Sequence, residues 1–183
     1  VREAIAKLRP AADAGHAKAQ ALLGAILDAS EQDEEAVRYL KLAAAQGEPD
    51  GMVLLASMMG MGEGTPKNPA GARQLMEQAA LAGKREAVVA VAAAYLGGGY
   101  DLGPAERAAP EALAWMQRAA LIDHLPAIDR LALAYRKGEF GLAPDERKAL
   151  EYEARSRALR GLADGGRKAT PARRPVMPKV PGA

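Results

Sequence analysis

The 183 residues contain no cysteine, which excludes a disulfide framework, a thiolate nucleophile and a zinc site built on cysteine. Aromatic residues are scarce at 4%, although apolar residues as a whole reach 49%. A chain short of Phe, Trp and Tyr but rich in small side chains favours closely packed helices over sheets, which draw on Val, Ile, Tyr and Phe. No run of about 18 apolar residues occurs, so no segment reads as a membrane span. The chain opens on Val1 with no charged-then-apolar leader, and a targeting segment is therefore expected to have been removed or never present.

Charge is unevenly spread. Residues 161–183 hold Arg167, Lys168, Arg173, Arg174 and Lys179 against Asp164, so a chain of net charge +2 carries −2 over residues 1–160. The same 23 residues contain four Gly and four Pro without periodicity. They read as a flexible basic tail following a folded body at 1–160.

That body repeats itself. An Ala-Ala pair followed three residues later by a turn residue occurs at 11–15, 43–47 and 79–83, each ending in Gly, and again at 119–123, ending in Asp123. Seven residues before each pair stands another alanine: Ala4, Ala36, Ala72 and Ala112. Four residues past each turn residue come Ala19, Gly51, Ala87 and Ala127. Eight past come Leu23, Leu55, Val91 and Leu131, and twelve past come Leu27, Met59, Tyr95 and Tyr135. This spacing draws one face of a helix, here helix A, while the segment carrying the Ala pair forms helix B. Asn68-Pro69 and Ala109-Pro110 put proline at the first position of two B helices, and Asp145 can cap the last. Pro10 is expected to kink or shorten the first B helix. The B-to-A turn is constant in length and the A-to-B loop is not, so the turn sets the stacking and the loop faces solvent. A two-helix unit cannot bury its apolar face alone, and repetition lets each unit cover its neighbour. The chain begins on a B helix without its A helix, which suggests a processing site with residues upstream. Ser156 and Arg157 stand where a further Ala pair would be and read as a terminal cap.

No residue pattern carries a reaction. His16 and His124 each follow a turn residue of a different repeat, so they serve the same junction and have no convergent partners for acid–base or metal work. The stretch YLGGGYDLG (95–103) lacks the strand, the following helix start and the Lys-Ser/Thr of a phosphate cradle. It reads as the longest A-to-B loop, with Tyr100 as the exposed contact if the loop binds anything. The acidic EQDEE (31–35) sits at a helix start, where it favours the helix dipole. Met52, Met58, Met59, Met61 and Met76 crowd one repeat and read as core filling, with groove lining as the alternative. Neither catalytic residues, nor metal ligands, nor a cofactor site is expected.

The stretch LLASMMGMGEGTPKNPAGARQLMEQAALAG (54–83) resembles a Sel1-like repeat, a relative of the tetratricopeptide repeat with a longer, glycine-bearing loop. LALAYRKGEFGLAPDERKALEY (131–152) matches it again through Tyr135, Gly138, Gly141, Asp145 and Ala149, and the resemblance extends over residues 2 to about 160. The first loop departs from it by lacking glycines, and Leu27 and Met59 stand where Tyr is usual. The resemblance implies an all-α, right-handed α-solenoid of about four helix-turn-helix repeats. It also implies a non-catalytic adaptor that binds another protein, either as a monomer or within a larger complex. A cell-wall or polysaccharide-binding module is the alternative, with Tyr100 as its thin support. Nucleic-acid contact is expected of the basic tail at most, because the body is net negative. Together with the missing cysteine and initiator Met, the resemblance favours a bacterial periplasmic location over the cytoplasm.

In a tetratricopeptide-like superhelix the side of helix A turned away from the core lines a concave groove that takes a peptide or helix. The positions six and ten residues past each turn fall on that side: Ala21 and Ala25, Val53 and Ser57, Val89 and Ala93, Asp129 and Leu133. Only Asp129 is charged. The expected partner surface is a weakly apolar groove centred on Val53, Ser57 and Val89 with Asp129 at one end, unless neighbouring helices bury these residues.

Overall fold

A computed structural model describes residues 1–161, so the basic tail, from residue 162 on, lies outside the described residues. Among these there are ten helices and no strand. They are α1 (Arg2–Asp13), α2 (Ala17–Asp28), α3 (Asp33–Ala45), α4 (Pro49–Met61), α5 (Pro69–Leu81), α6 (Arg85–Gly97), α7 (Pro104–Arg107), α8 (Pro110–Leu121), α9 (Leu125–Lys137) and α10 (Glu146–Leu159). The A helices are α2, α4, α6 and α9, and the B helices are α1, α3, α5, α8 and α10. The short α7 was not foreseen. It forms inside the longest A-to-B loop, where the Gly103 N–H donates to Glu106 Oε2 (2.9 Å) and so caps its start. The fold is an all-α repeat fold.

The constant B-to-A turn has a local cause. Gly15, Gly47 and Gly83 adopt left-handed φ of +92°, +82° and +92°, and Asp123 takes the same conformation at +61°. This lets the next N–H turn back and donate to the carbonyl of the first Ala of the pair. The bonds are His16 to Ala11 (3.1 Å), Glu48 to Ala43 (3.1 Å), Lys84 to Ala79 (3.0 Å) and His124 to Ala119 (3.0 Å). This six-to-one closure is the Schellman motif, and it sets the distance from Ala pair to turn. At the other junction, Asn68 N–H donates to Met59 O and Asp145 N–H to Tyr135 O, both at 2.7 Å. The side chains of Asn68 and Asp145 then cap α5 and α10 by accepting from Gly71 N–H (2.9 Å) and Lys148 N–H (3.0 Å).

The chain divides into two compact units, with the division inside α6 after Val91. In the first, α2 packs against α1, α3 and α4, and α4 also packs against α5. Leu23, Leu27, Val37, Tyr39, Leu40, Leu55 and Met58 form its core with Ala12 and Ala36. Burying each large side chain in that list contributes about 1.5–3 kcal/mol relative to exposure. The helices approach closely because glycine sits at two crossings. A Cβ on Gly24 would lie 2.6 Å from Leu40 Cγ, and one on Gly51 would lie 2.6 Å from Ala43 Cβ. Three polar side chains bond across these helices. The Tyr39 hydroxyl donates to Asp13 Oδ1 (2.6 Å), Gln20 Nε2 donates to Ala12 O (3.0 Å), and Gln46 Nε2 donates to Gln20 Oε1 (2.7 Å).

In the second unit, α9 packs against α8 and α10. Trp115 of α8 is 7% exposed, with the Arg118 guanidinium 5.5 Å from its ring centre. Tyr135 stacks on Tyr152 of α10 at 5.7 Å between ring centres.

The helix A positions expected inside are buried, save Ala19 and Met59, which are half-buried. The buried stripe is wider than expected, because Gln20, Met52, Val88 and Ile128, one position beyond the first of them, are buried too. An A helix flanked on more than one side, as α2 is by α1, α3 and α4, needs this broader apolar face. Met52, Met58 and Met76 belong to the core, whereas Met61 is 58% exposed. Pro10 does not end α1, which continues to Asp13. The Ala6 carbonyl that loses its bond to the missing N–H belongs to an exposed residue and can be hydrated.

Candidate functional site

A groove of about 590 Å³ opens in the first unit across α2, α4 and the start of α6. Its apolar wall consists of Ala21, Leu22 and Ala25 from α2 with Val53 and Leu54 from α4. Leu22 is 52% exposed, a large aliphatic side chain facing water where helix periodicity alone would allow a charge. The wall exists because positions six, seven and ten past the turn lie on one helical side, and α2 packs beside α4.

The rim at the helix starts is charged. Lys18 stands at the beginning of α2, Glu48 and Asp50 at that of α4, and Lys84 and Glu86 at that of α6. Lys84 Nζ lies 2.5 Å from Asp50 Oδ1 and 3.8 Å from Glu86 Oε2. The hydrogen bond to Asp50 raises the Lys84 ammonium above its ordinary pKa, and the charges of Asp50, Glu86 and Glu48 add to this. Glu48 forms no ion pair among the described residues. It is half-buried, and its side chain makes no capping bond to α4.

Of the residues expected to form the partner surface, Ala21, Ala25 and Val53 line this groove. Ser57 is exposed one turn beyond Val53 on the same side of α4, and Val89 is half-buried on α6. Ala93 and Leu133 are exposed in the second unit. Two candidates are placed otherwise than expected. Tyr100 is half-buried at a left-handed φ of +54°, so it does not offer the fully exposed ring a glycan platform needs. Asp129 accepts from the hydroxyl of Ser156 in α10 (2.6 Å) and from the guanidinium of Arg160, the residue that follows α10 (2.5 Å). The Arg160 hydrogen bond, then that of Ser156, hold its carboxyl below the ordinary value against the opposing effect of burial. Asp129 therefore ties the end of α10 to α9.

Sequence reasoning missed Leu22, Leu54 and the charged rim. The signal was present, since position seven lies one turn after position three and one turn before position ten on the same helical side. His16 and His124 both stand at the start of an A helix, and burial holds the His124 imidazole below its ordinary pKa. Among the described residues no three His, Cys, Asp or Glu side chains converge as a metal site, and no helix is long and apolar enough to cross a membrane.

The family model for the Sel1 repeat matches residues 17–48, 49–84, 90–124 and 125–152. The fold is similar to that of a Sel1 repeat protein from Oxalobacter formigenes, with 27% identity and a TM-score of 0.67 over 85% of this chain and 45% of that one. It is also similar to a protective antigen, present in uropathogenic Escherichia coli strains, that displays an SLR fold. There the identity is 25% and the TM-score 0.65, over 86% of this chain and 33% of that one. The chain thus spans less than half the length of either protein. Among curated proteins no sequence matches it.

Proposed function

We propose that this chain, which belongs to the Sel1 repeat family, is a non-catalytic adaptor that holds a peptide or helical segment of a partner protein in the groove across α2 and α4. Sel1 repeat proteins generally mediate protein–protein interaction. The observation that carries the assignment to this groove is Leu22, half-exposed beside Val53, Leu54 and two alanines in a cleft of about 590 Å³. A cleft with an apolar floor and a polar rim is the form in which an extended or helical segment docks, because the floor is desolvated while the rim orients the ligand. Ser57, exposed one turn beyond Val53 on α4, extends the same register as a proposed contact, although the groove itself does not reach it.

The test compares capture of partners from an extract of the producing cells by the wild-type chain and by the double variant Leu22→Glu, Ser57→Glu. Both residues are exposed, so the variant should keep its stability within about 0.5 kcal/mol. A partner retained by the wild type and lost by this variant agrees with the groove. One retained equally by both would place the interface elsewhere.

A further inference from the structure

The chemistry of the occupant can be read from the rim, granted the groove as binding site. We infer that the partner segment carries a lysine or arginine beside its apolar side chains, the cation seated against Glu48, Asp50 and Glu86 and the apolar residues against Leu22, Val53 and Leu54. Three carboxylates and two ammonium groups line the groove, an excess of one negative charge. One ammonium, that of Lys84, is already engaged by Asp50 at 2.5 Å and approached by Glu86 at 3.8 Å. Glu48, half-buried at the edge of an apolar wall, has no ion pair of its own and shares the attraction of the Lys84 ammonium with Asp50 and Glu86. A carboxylate in that position loses part of its hydration while sharing one ammonium with two others, and a ligand cation supplies a partner of its own.

The spacing narrows the ligand further. Asp50 and Val53 are three residues apart on α4, as are Lys18 and Ala21 on α2, so rim and wall are separated by about one helical turn, roughly 5 Å. A segment matches this when its cation and an apolar side chain share one side, at i and i+3 or i+4 of a helix or i and i+2 of a strand.

The probe is a phage-displayed library of random 12-residue peptides panned on the whole chain, followed by fluorescence-anisotropy titration of the enriched peptides. Enriched sequences should pair Leu, Ile, Val or Phe with Lys or Arg at these spacings. They should bind the Glu48→Gln, Glu86→Gln variant about three- to tenfold more weakly at low salt, with the difference shrinking at high salt. They should also weaken on Leu22→Gln, which removes the apolar contact without adding charge. Peptides that need Leu22 yet bind the double variant as tightly as wild type, or that are rich in Asp and Glu, overturn the inference and leave the groove standing. Peptides indifferent to Leu22→Gln, or no enrichment over bare support, overturn both.

Discussion

Replacing Gly51 with alanine sets two effects of known sign against each other. Alanine is the better helix former, and relief of glycine's backbone entropy in α4 favours the variant by about 0.5–1 kcal/mol. The added methyl, however, lies 2.6 Å from Ala43 Cβ, with the Ala44 nitrogen at 3.3 Å and the Ala43 carbonyl carbon at 3.5 Å. Carbon atoms pack at about 3.5–4.0 Å, so the overlap is roughly 1 Å. Ala43 has no rotamer by which to yield, and the atoms behind it are helix backbone, so α3 and α4 must separate. Overpacking of this kind costs about 1–3 kcal/mol, and a rigid neighbour argues for the upper end. The net expectation is a loss of about 2 kcal/mol. Gly60, nine residues along the same helix, is the internal control. A Cβ there meets only Ala72 Cβ, at 3.9 Å, so Gly60→Ala should stabilise by up to about 1 kcal/mol. Urea denaturation followed by circular dichroism at 222 nm reads both as shifts of midpoint at constant slope. A Gly51→Ala midpoint at or above wild type would show that α3 and α4 do not cross at Ala43 as described, and with it the account of why small residues recur in these repeats would fail.

Other expectations concern burial and charge. Trp115→Ala should destabilise by about 3–5 kcal/mol, since the ring is 7% exposed, and a loss below about 1 kcal/mol in a denaturation curve would place the side chain outside the core. Asp129, its carboxyl held down by Arg160 and Ser156, contributes stability that is present above the unfolded-state value of about 3.9 and is lost as pH falls through the lower folded-state value. Asp129→Asn should therefore show a shallower fall of Tm between roughly pH 5 and 3 than wild type, and an unchanged slope would refute the coupling. Leu22→Glu with Ser57→Glu should leave Tm within about 2 °C of wild type, because both side chains face water, and a larger fall would mean the groove is packed.

Much of this architecture is written locally. The Ala pair, the turn residue three positions on and the apolar positions at four, eight and twelve beyond it determine where helices end and which side faces inward. The Schellman closure and the 3.6-residue period are properties of a single short segment. Gly15, Gly47, Gly83 and Asp123 all took the left-handed conformation that their place in the repeat required. The groove depended on more. Ala21, Val53, Val89 and Asp129 share one register, yet Ala21 is buried, Val53 and Val89 are half-covered, and Asp129 is bound by the side chains of Ser156 and Arg160. Periodicity says which way a side chain points and nothing of what stands opposite it, because that is set by residues 25 to 35 positions away on a neighbouring helix. The same holds for the rim. Lys84, Asp50 and Glu86 are ordinary helix-start charges in the sequence, and only the tertiary structure brings the Lys84 ammonium against Asp50 of α4 as well as its near neighbour Glu86.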